Sequence, residues 1–319
     1  MLIQKKRASR FTPILLVAAV ASGTLLLSTA GQAQDEPRRG ASAALIEEIV
    51  VTARKREETG QEVPLSVSAF GSAQLDALKV RDLTNLSVGM PNVSLEDVGT
   101  TRGTANFSIR GLGINSSIPS IDPTVGVFVN GVYMGLNNGI VFDMFDMESV
   151  QVLRGPQGTL FGRNVTGGAV LLTNKKPTDS LEATARVAFD QGSEGGLNSY
   201  AMGAIGGPVT DNLRARLLVY LNNDQGKFEN DFDGSDFGEI EQLMLRGTAV
   251  WTPSDTTELV LRYETSTTDG DGPAAQSHTN GSGTDGTPVN NSRDSFDFSI
   301  DERGFQDTRT NFVTAELNW

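Results

Sequence analysis

The chain has 319 residues, a formal net charge of −13, no cysteine and a single histidine, His278. Without cysteine there is neither a disulfide framework nor a cysteine zinc site. One histidine excludes a histidine-cluster metal centre, and the acidic balance argues against nucleic acid, whose phosphates call for a basic footprint.

The length allows about two domains. The 35 glycines, with many Thr, Val, Asn and Asp, lean towards strands and turns. His278 sits in a polar Gly/Ser/Thr run and reads as a solvated loop residue rather than a catalytic base. No nucleophile–base pair appears in a recognisable local pattern, so no enzyme and no cofactor is expected.

Lys5, Lys6, Arg7 and Arg10 precede an apolar run over 14–27, and small residues follow up to Ala33. This is the pattern of a secretory signal over 1–33, with cleavage expected after Ala33. The run falls short of the ~20 apolar residues a spanning helix needs, and Ser22 and Gly23 interrupt it. Residues 34–61 are polar and read as disordered, apart from a short β-prone run at 46–53. Such a run can add to the edge of another protein's sheet. It can equally be the first strand of its own domain.

Residues 62–177 read as an α/β domain. A strand is expected over 63–70, with Pro64 near its start. A helix follows with Ser72 as cap and Leu75 and Leu78 on one face. Leu83 and Leu86 face inwards from a second short helix. Residues 107–109 form a strand that runs into a glycine turn. Residues 124–134 form a hairpin around Asn130-Gly131, the two-residue turn that suits strand twist. Residues 142–147 alternate Asp with Phe and Met. Asp143, Asp146 and Glu148 lack the glycine and closing Glu of a calcium loop, and read as a solvated helix face.

Next come two apolar segments, 150–153 and 169–173, joined by a turn holding Gly155, Gly158, Gly162, Gly167 and Gly168. Phosphate-loop spacing fails, because Leu160 or Arg163 falls where the second glycine belongs. Gly111 and Gly113 likewise lack the third glycine of a dinucleotide fingerprint, where Ser116 stands. Arg110 and Arg154 each end an apolar strand just before glycine, a costly place for a guanidinium unless carboxylates meet it.

From Leu181 the pattern becomes strict alternation over segments of the length a tilted membrane strand needs. Ala183, Ala185, Val187 and Phe189 oppose Thr184 and Arg186; Leu217 and Val219 oppose Arg216 and Tyr220. Segments near 243–251, 259–264 and 313–319 repeat this, with a weaker one over 200–205. A soluble sandwich alternates too. Short connections (208–211, 252–256) and long ones (191–198, 222–238, 269–307) take turns, however, as a membrane barrel requires. Trp251 and Trp319 end strands, where girdle aromatics belong. Six strands cannot close a barrel, so the wall over 178–319 is expected to be incomplete in this chain.

The strings IRGLG, VGVFVNGVY and VLRGPQGTLFGRNVTGGAV occur in this order. They closely resemble the plug signature of TonB-dependent outer-membrane receptors, carried by Gly111, Gly155, Pro156, Gly158, Gly162, Arg163, Asn164, Gly167 and Gly168. The resemblance implies an α/β plug domain followed by the N-terminal strands of an antiparallel transmembrane β-barrel. It implies that Glu47, Glu48, Ile49, Val50, Val51, Thr52 and Ala53 form a TonB box that pairs with TonB in the periplasm. It implies that Arg110 and Arg154 face acidic residues on the barrel wall. The short stretch between cleavage site and box leaves no signalling extension expected. The family imports scarce ligands across outer-membrane lipid, most often ferric siderophores, with cobalamin, haem and oligosaccharides as others. The alternative is a secreted, β-rich binding or adhesion protein without transport.

Overall fold

The computed structural model describes residues 50–51, 58–59, 64–80, 82–98, 101–113, 121–135, 145–191, 196–272, 281–282, 288–289 and 297–319. The expected signal peptide, Glu47, Glu48, Ile49, Thr52, Ala53, Asp143 and His278 lie outside the described residues. Val50–Val51 and Glu58–Thr59 pair antiparallel as a separate two-stranded ribbon.

The first half of the described chain is built on a mixed sheet. Its strands are β1 (Ser66–Gly71), β5 (Val125–Val129), β6 (Val132–Tyr133), β7 (Met147–Arg154) and β8 (Gly168–Asn174), in the spatial order β1-β7-β8-β5-β6. β8 lies at the centre, antiparallel to β7 and parallel to β5. Asn130 and Gly131 both take positive φ (50° and 80°), the type I′ geometry expected of the β5–β6 hairpin.

A second sheet of β2 (Val93–Val98), β3 (Thr101–Ile109) and β4 (Leu112–Gly113) joins helices α1 (Ser72–Leu78) and α2 (Leu83–Val88) over one face of the first. Leu83, Leu86, Leu95, Phe107 and Ile109 meet Val125, Val127, Val150, Val152, Val170 and Leu172 there. The opposite face is closed by Leu153, Val165, Ala169 and Phe128 with Phe161 of the short helix α3 (Gly158–Phe161). Burial on both faces is why these strands are continuously apolar.

Three local expectations change. Gly71 caps α1 and no side chain accepts there; Ser72 is already the first helical residue. That helix ends within two turns at Lys79 (φ 52°), so Leu75 reaches the core and Leu78 stays exposed. Asp82, not predicted, caps α2 by accepting from Asn85 N at 2.7 Å. Asp146 is no solvated helix residue either: it precedes β7 and its side chain is buried.

The second half is one antiparallel meander of six strands. These are β9 (Glu182–Gln191), β10 (Leu197–Thr210), β11 (Leu213–Asp224), β12 (Ile240–Ser254), β13 (Thr257–Gly270) and β14 (Gln306–Asn318). The sheet is open, with β9 and β14 at its edges. Its two faces are inverted relative to a soluble sandwich. In register, Ala185, Gly203, Val219, Leu245 and Thr265 share one face, next to the row Ile205, Leu217, Gly247, Tyr263 and Val313. On that face Val187, Phe189, Ile205, Leu217, Leu245, Leu261, Tyr263, Val313 and Leu317 are exposed. The buried face carries Arg216, Arg246, Thr248, Arg262, Glu264, Ser266 and Thr314. An exposed face rich in apolar side chains, over a buried face that holds these charged and polar groups beside Met202, Leu218, Met244, Val250 and Val260, is the arrangement of a membrane wall.

Candidate functional site

The glycine-rich turn between β7 and β8 is folded back by its own backbone. Gly155 N donates to Gly167 O (2.9 Å), Gln157 N to Val165 O (3.0 Å) and Gly167 N to Thr124 O (2.8 Å). Asn164 (φ 66°) donates from Nδ2 to the Tyr133 hydroxyl at 3.0 Å, and Phe161 packs on Phe128 with ring centroids 4.9 Å apart. Arg163 lies 3.8 Å from Asp122 at the surface, while Pro156 and Gly162 are exposed. Gly168 is the position where a side chain cannot fit: an added Cβ would stand 2.2 Å from Leu153 O and 2.7 Å from Ile109 Cδ1. The motif therefore works as scaffolding that ties the turn to the β5–β6 hairpin.

Arg110 lies just beyond β3 in the left-handed region (φ 54°), exposed, followed by Gly111 (φ 78°). Its Nη1 would be 3.4 Å from a Cβ placed on Gly155, so two of the sequence motifs meet here. Arg154 donates from Nη2 to Ser68 Oγ at 2.7 Å, across the β1–β7 pair. Its Nε is buried with no hydrogen-bond partner among the described residues.

The seam between the two halves is carried by residues sequence reasoning had not paired. Phe145 enters an apolar socket of the inner wall made by Met202, Ala204, Leu218, Tyr220 and Met244, with Tyr200 beside it. Its ring lies 4.4 Å from that of Tyr220 and 5.6 Å from that of Tyr200, centroid to centroid. The next residue, Asp146, accepts from Arg216 Nε (2.7 Å) and Nη2 (2.5 Å), a two-pronged pair. Arg246 Nη1 lies 3.4 Å from the Phe145 carbonyl, and its Nε donates to Glu264 at 2.6 Å.

Asp76 on α1 pairs with Arg186 on β9. The connection from β8 to β9 is fastened to the tight-turn end of the wall: Lys176 to Glu258 (2.8 Å) and Asp179 to Arg214 (3.1 Å). The polar-face arginines of the wall were legible as such. Their plug partners were not.

At the other end of the wall, the two longest connections hold each other. Phe228–Asn230 pairs antiparallel with Ser235–Phe237 and parallel with Asp297–Phe298. Asn230 is buried, donates to Ile300 O (2.9 Å) and accepts from Ile300 N (3.0 Å). Arg303 donates to both oxygens of Asp271 (3.2 and 2.8 Å), to Ser235 Oγ and to the Asp236 carbonyl, and covers the Phe237 ring at 5.6 Å. Hydrogen bonding to Asp271, partly opposed by burial, holds Arg303 above its ordinary pKa. Arg303→Met is therefore expected to raise the rate of protease cleavage within 225–239 about tenfold, equivalent to ~1.4 kcal/mol of lost local stability. Limited proteolysis of the folded protein measures it, and an unchanged rate would show that the clasp contributes nothing.

These features converge on one architecture. A compact α/β body is pinned to the polar, inward face of a strand wall whose other face is apolar and exposed. The model of the TonB-dependent receptor plug domain matches residues 59–169. Residues 59–169 are a TonB-dependent receptor plug domain.

Among curated receptors, it is 26% identical over 233 residues to the iron-regulated outer membrane virulence protein of Vibrio cholerae, covering 70% of this chain and 34% of that one. It is 27% identical over 220 residues to the pesticin receptor of Yersinia pestis, covering 68% and 30%. It is 29% identical over 163 residues to the ferrioxamine B receptor of Salmonella typhimurium, covering 48% and 21%. The plug and wall superpose on the ferric yersiniabactin uptake receptor of Yersinia pestis with TM-score 0.63 at 20% identity, covering 79% of this chain and 38% of that one. The ferripyoverdine receptor of Pseudomonas aeruginosa gives 0.66 at 19% identity, covering 84% and 34%. The chain thus spans about a third of the length of the curated relatives it matches.

Proposed function

We propose that the protein is an active-transport receptor of the outer membrane. It binds a scarce extracellular ligand, most simply a ferric siderophore, and delivers it to the periplasm when TonB engages the segment 47–53. The observation that carries this reading is the plug seated on the inner face of an outward-apolar wall. A ligand that reaches the far side must pass where the plug stands.

Ferric siderophore as cargo is supported by the relatives named for ferrioxamine B and ferric yersiniabactin. Residues 1–33 act as the export signal in this proposal, 34–61 as the tether, 62–177 as the plug and 178–319 as the barrel wall. The β-prone segment is the handle: Val50–Val51 already takes strand geometry, with Glu58–Thr59 on one of its edges. Pairing with TonB would use the other edge or displace that ribbon. Arg110 and Arg154 are kept as plug-side contacts to the wall, the orphan Nε of Arg154 supporting this role.

Deletion of 47–53 tests the proposal. Energy-dependent uptake of iron-loaded ferrioxamine B should fall to background while binding to the cell surface stays within about twofold, since only the motor connection is removed. Uptake that survives the deletion would point to a surface-binding protein without coupled transport.

A further inference from the structure

Of the ion pairs that cross the seam among the described residues, one is sealed from water. The side chains of Arg216 and Asp146 are 5% and 7% exposed, whereas Arg186–Asp76 and Lys176–Glu258 are each more open. A buried guanidinium deprived of its carboxylate is strongly destabilising, so withdrawal of the plug would ordinarily be opposed here.

The wall holds a second carboxylate for that moment. Glu182 Oε2 lies 3.8 Å from Arg216 Nη1, and this Nη1 is buried without a hydrogen bond. Glu182, Gly206 and Arg216 occupy one cross-strand row on β9, β10 and β11. Gly206 leaves the path between them open. A Cβ there would stand 2.9 Å from Arg216 Cγ and 3.1 Å from its Nη1. The arginine therefore lies across a bare glycine, with a plug carboxylate on its Nε and Nη2 and a wall carboxylate beside Nη1. On the plug side, Asp146 is held in a left-handed conformation (φ 57°), unusual for a non-glycine residue, and its carbonyl accepts from Lys175 N at 3.0 Å.

We propose that Arg216 is a two-position catch: it holds the plug through Asp146 and passes to Glu182 when the plug is withdrawn. Release then never leaves a naked buried cation, which lowers the barrier to opening without weakening the closed state. The proposal rests on the transport reading for its purpose, but its physical content is independent of TonB and of any ligand. Arg216, Asp146 and Glu182 are positioning residues; none is assigned a contact with cargo.

The test uses the membrane-inserted receptor in planar bilayers and reads the urea concentration at which ion conductance appears. Asp146→Asn should raise the opening rate at a fixed urea concentration about tenfold, and Asp146→Glu should restore most of the closed state. Glu182→Gln should shift opening the other way, slowing it several-fold, because the guanidinium has nowhere to go. Asp76→Ala, at the solvent-open pair, should change little. Opposite signs for the two carboxylates are the signature, since a merely structural loss at either would loosen the plug. Shifts of the same sign, or none, overturn the catch. Should Asp146→Asn fail to reach the membrane, Arg216→Lys, which keeps the charge and loses the fork, replaces it with the same expected sign. Failure of the transport reading appears instead in the 47–53 deletion and leaves this result standing.

Discussion

Leu217→Arg is expected to cost about 2–4 kcal/mol of folding free energy in a bilayer. Leu217 sits mid-strand in β11, 52% exposed, between Ile205 and Gly247 in register. In a water-facing sheet an exposed leucine is cheap to replace, within about 0.5 kcal/mol. In lipid the guanidinium must be buried in hydrocarbon or dragged to the interface. The same substitution at Val209, exposed near the tight-turn end of β10, should cost only about 0–1 kcal/mol. Urea titration of the receptor folded into phospholipid vesicles measures both. Depth dependence is the decisive outcome; equal costs at 209 and 217 would mean that the apolar face does not cross a membrane.

The second large effect lies in the plug. Gly168→Ala is expected to cost about 3 kcal/mol, the range of an overpacked core position. The methyl group would meet Leu153 O at 2.2 Å, and neither partner can yield, because both belong to the central β7–β8 pair. Gly158→Ala, five signature glycines notwithstanding, should stay within about 0.5 kcal/mol. It is helical, and nothing lies within 4 Å of its added carbon. Urea-dependent protease protection of the plug in the assembled receptor separates the two. Equal sensitivity would mean that the motif is read by a partner rather than required by packing.

How much of this was visible beforehand depends on the range of the interaction. The wall strands showed in sequence because alternation is a local property, and β9 and β11 lie where it placed them. β10 was read too short, as 200–205, because Gly203, Gly206, Gly207 and Pro208 interrupt the apolar beat; its full length is set by pairing with β11. The Asn130-Gly131 turn was legible for the same local reason.

Asp146 was misread because its partner lies 70 residues away on another element. Nothing in the string around Asp146 distinguishes a buried carboxylate from a solvated one. Arg216 was placed on the polar side of its strand, correctly, but period alone cannot say what that side faces. The clasp around Arg303 lay equally out of reach, since it joins two connections that share no pattern.

The position of β8 has a consequence for biogenesis. It is the keystone of the plug sheet, yet it is the last plug strand to be synthesised. Until it arrives, β5 lacks its parallel neighbour, and its run Val125–Val129, wholly buried in the finished fold, has nowhere to hide. Every nascent copy therefore passes through a sticky stage that ends only as the wall itself begins to emerge. Exposed aliphatic strands of this kind are prone to aggregate until their partner arrives.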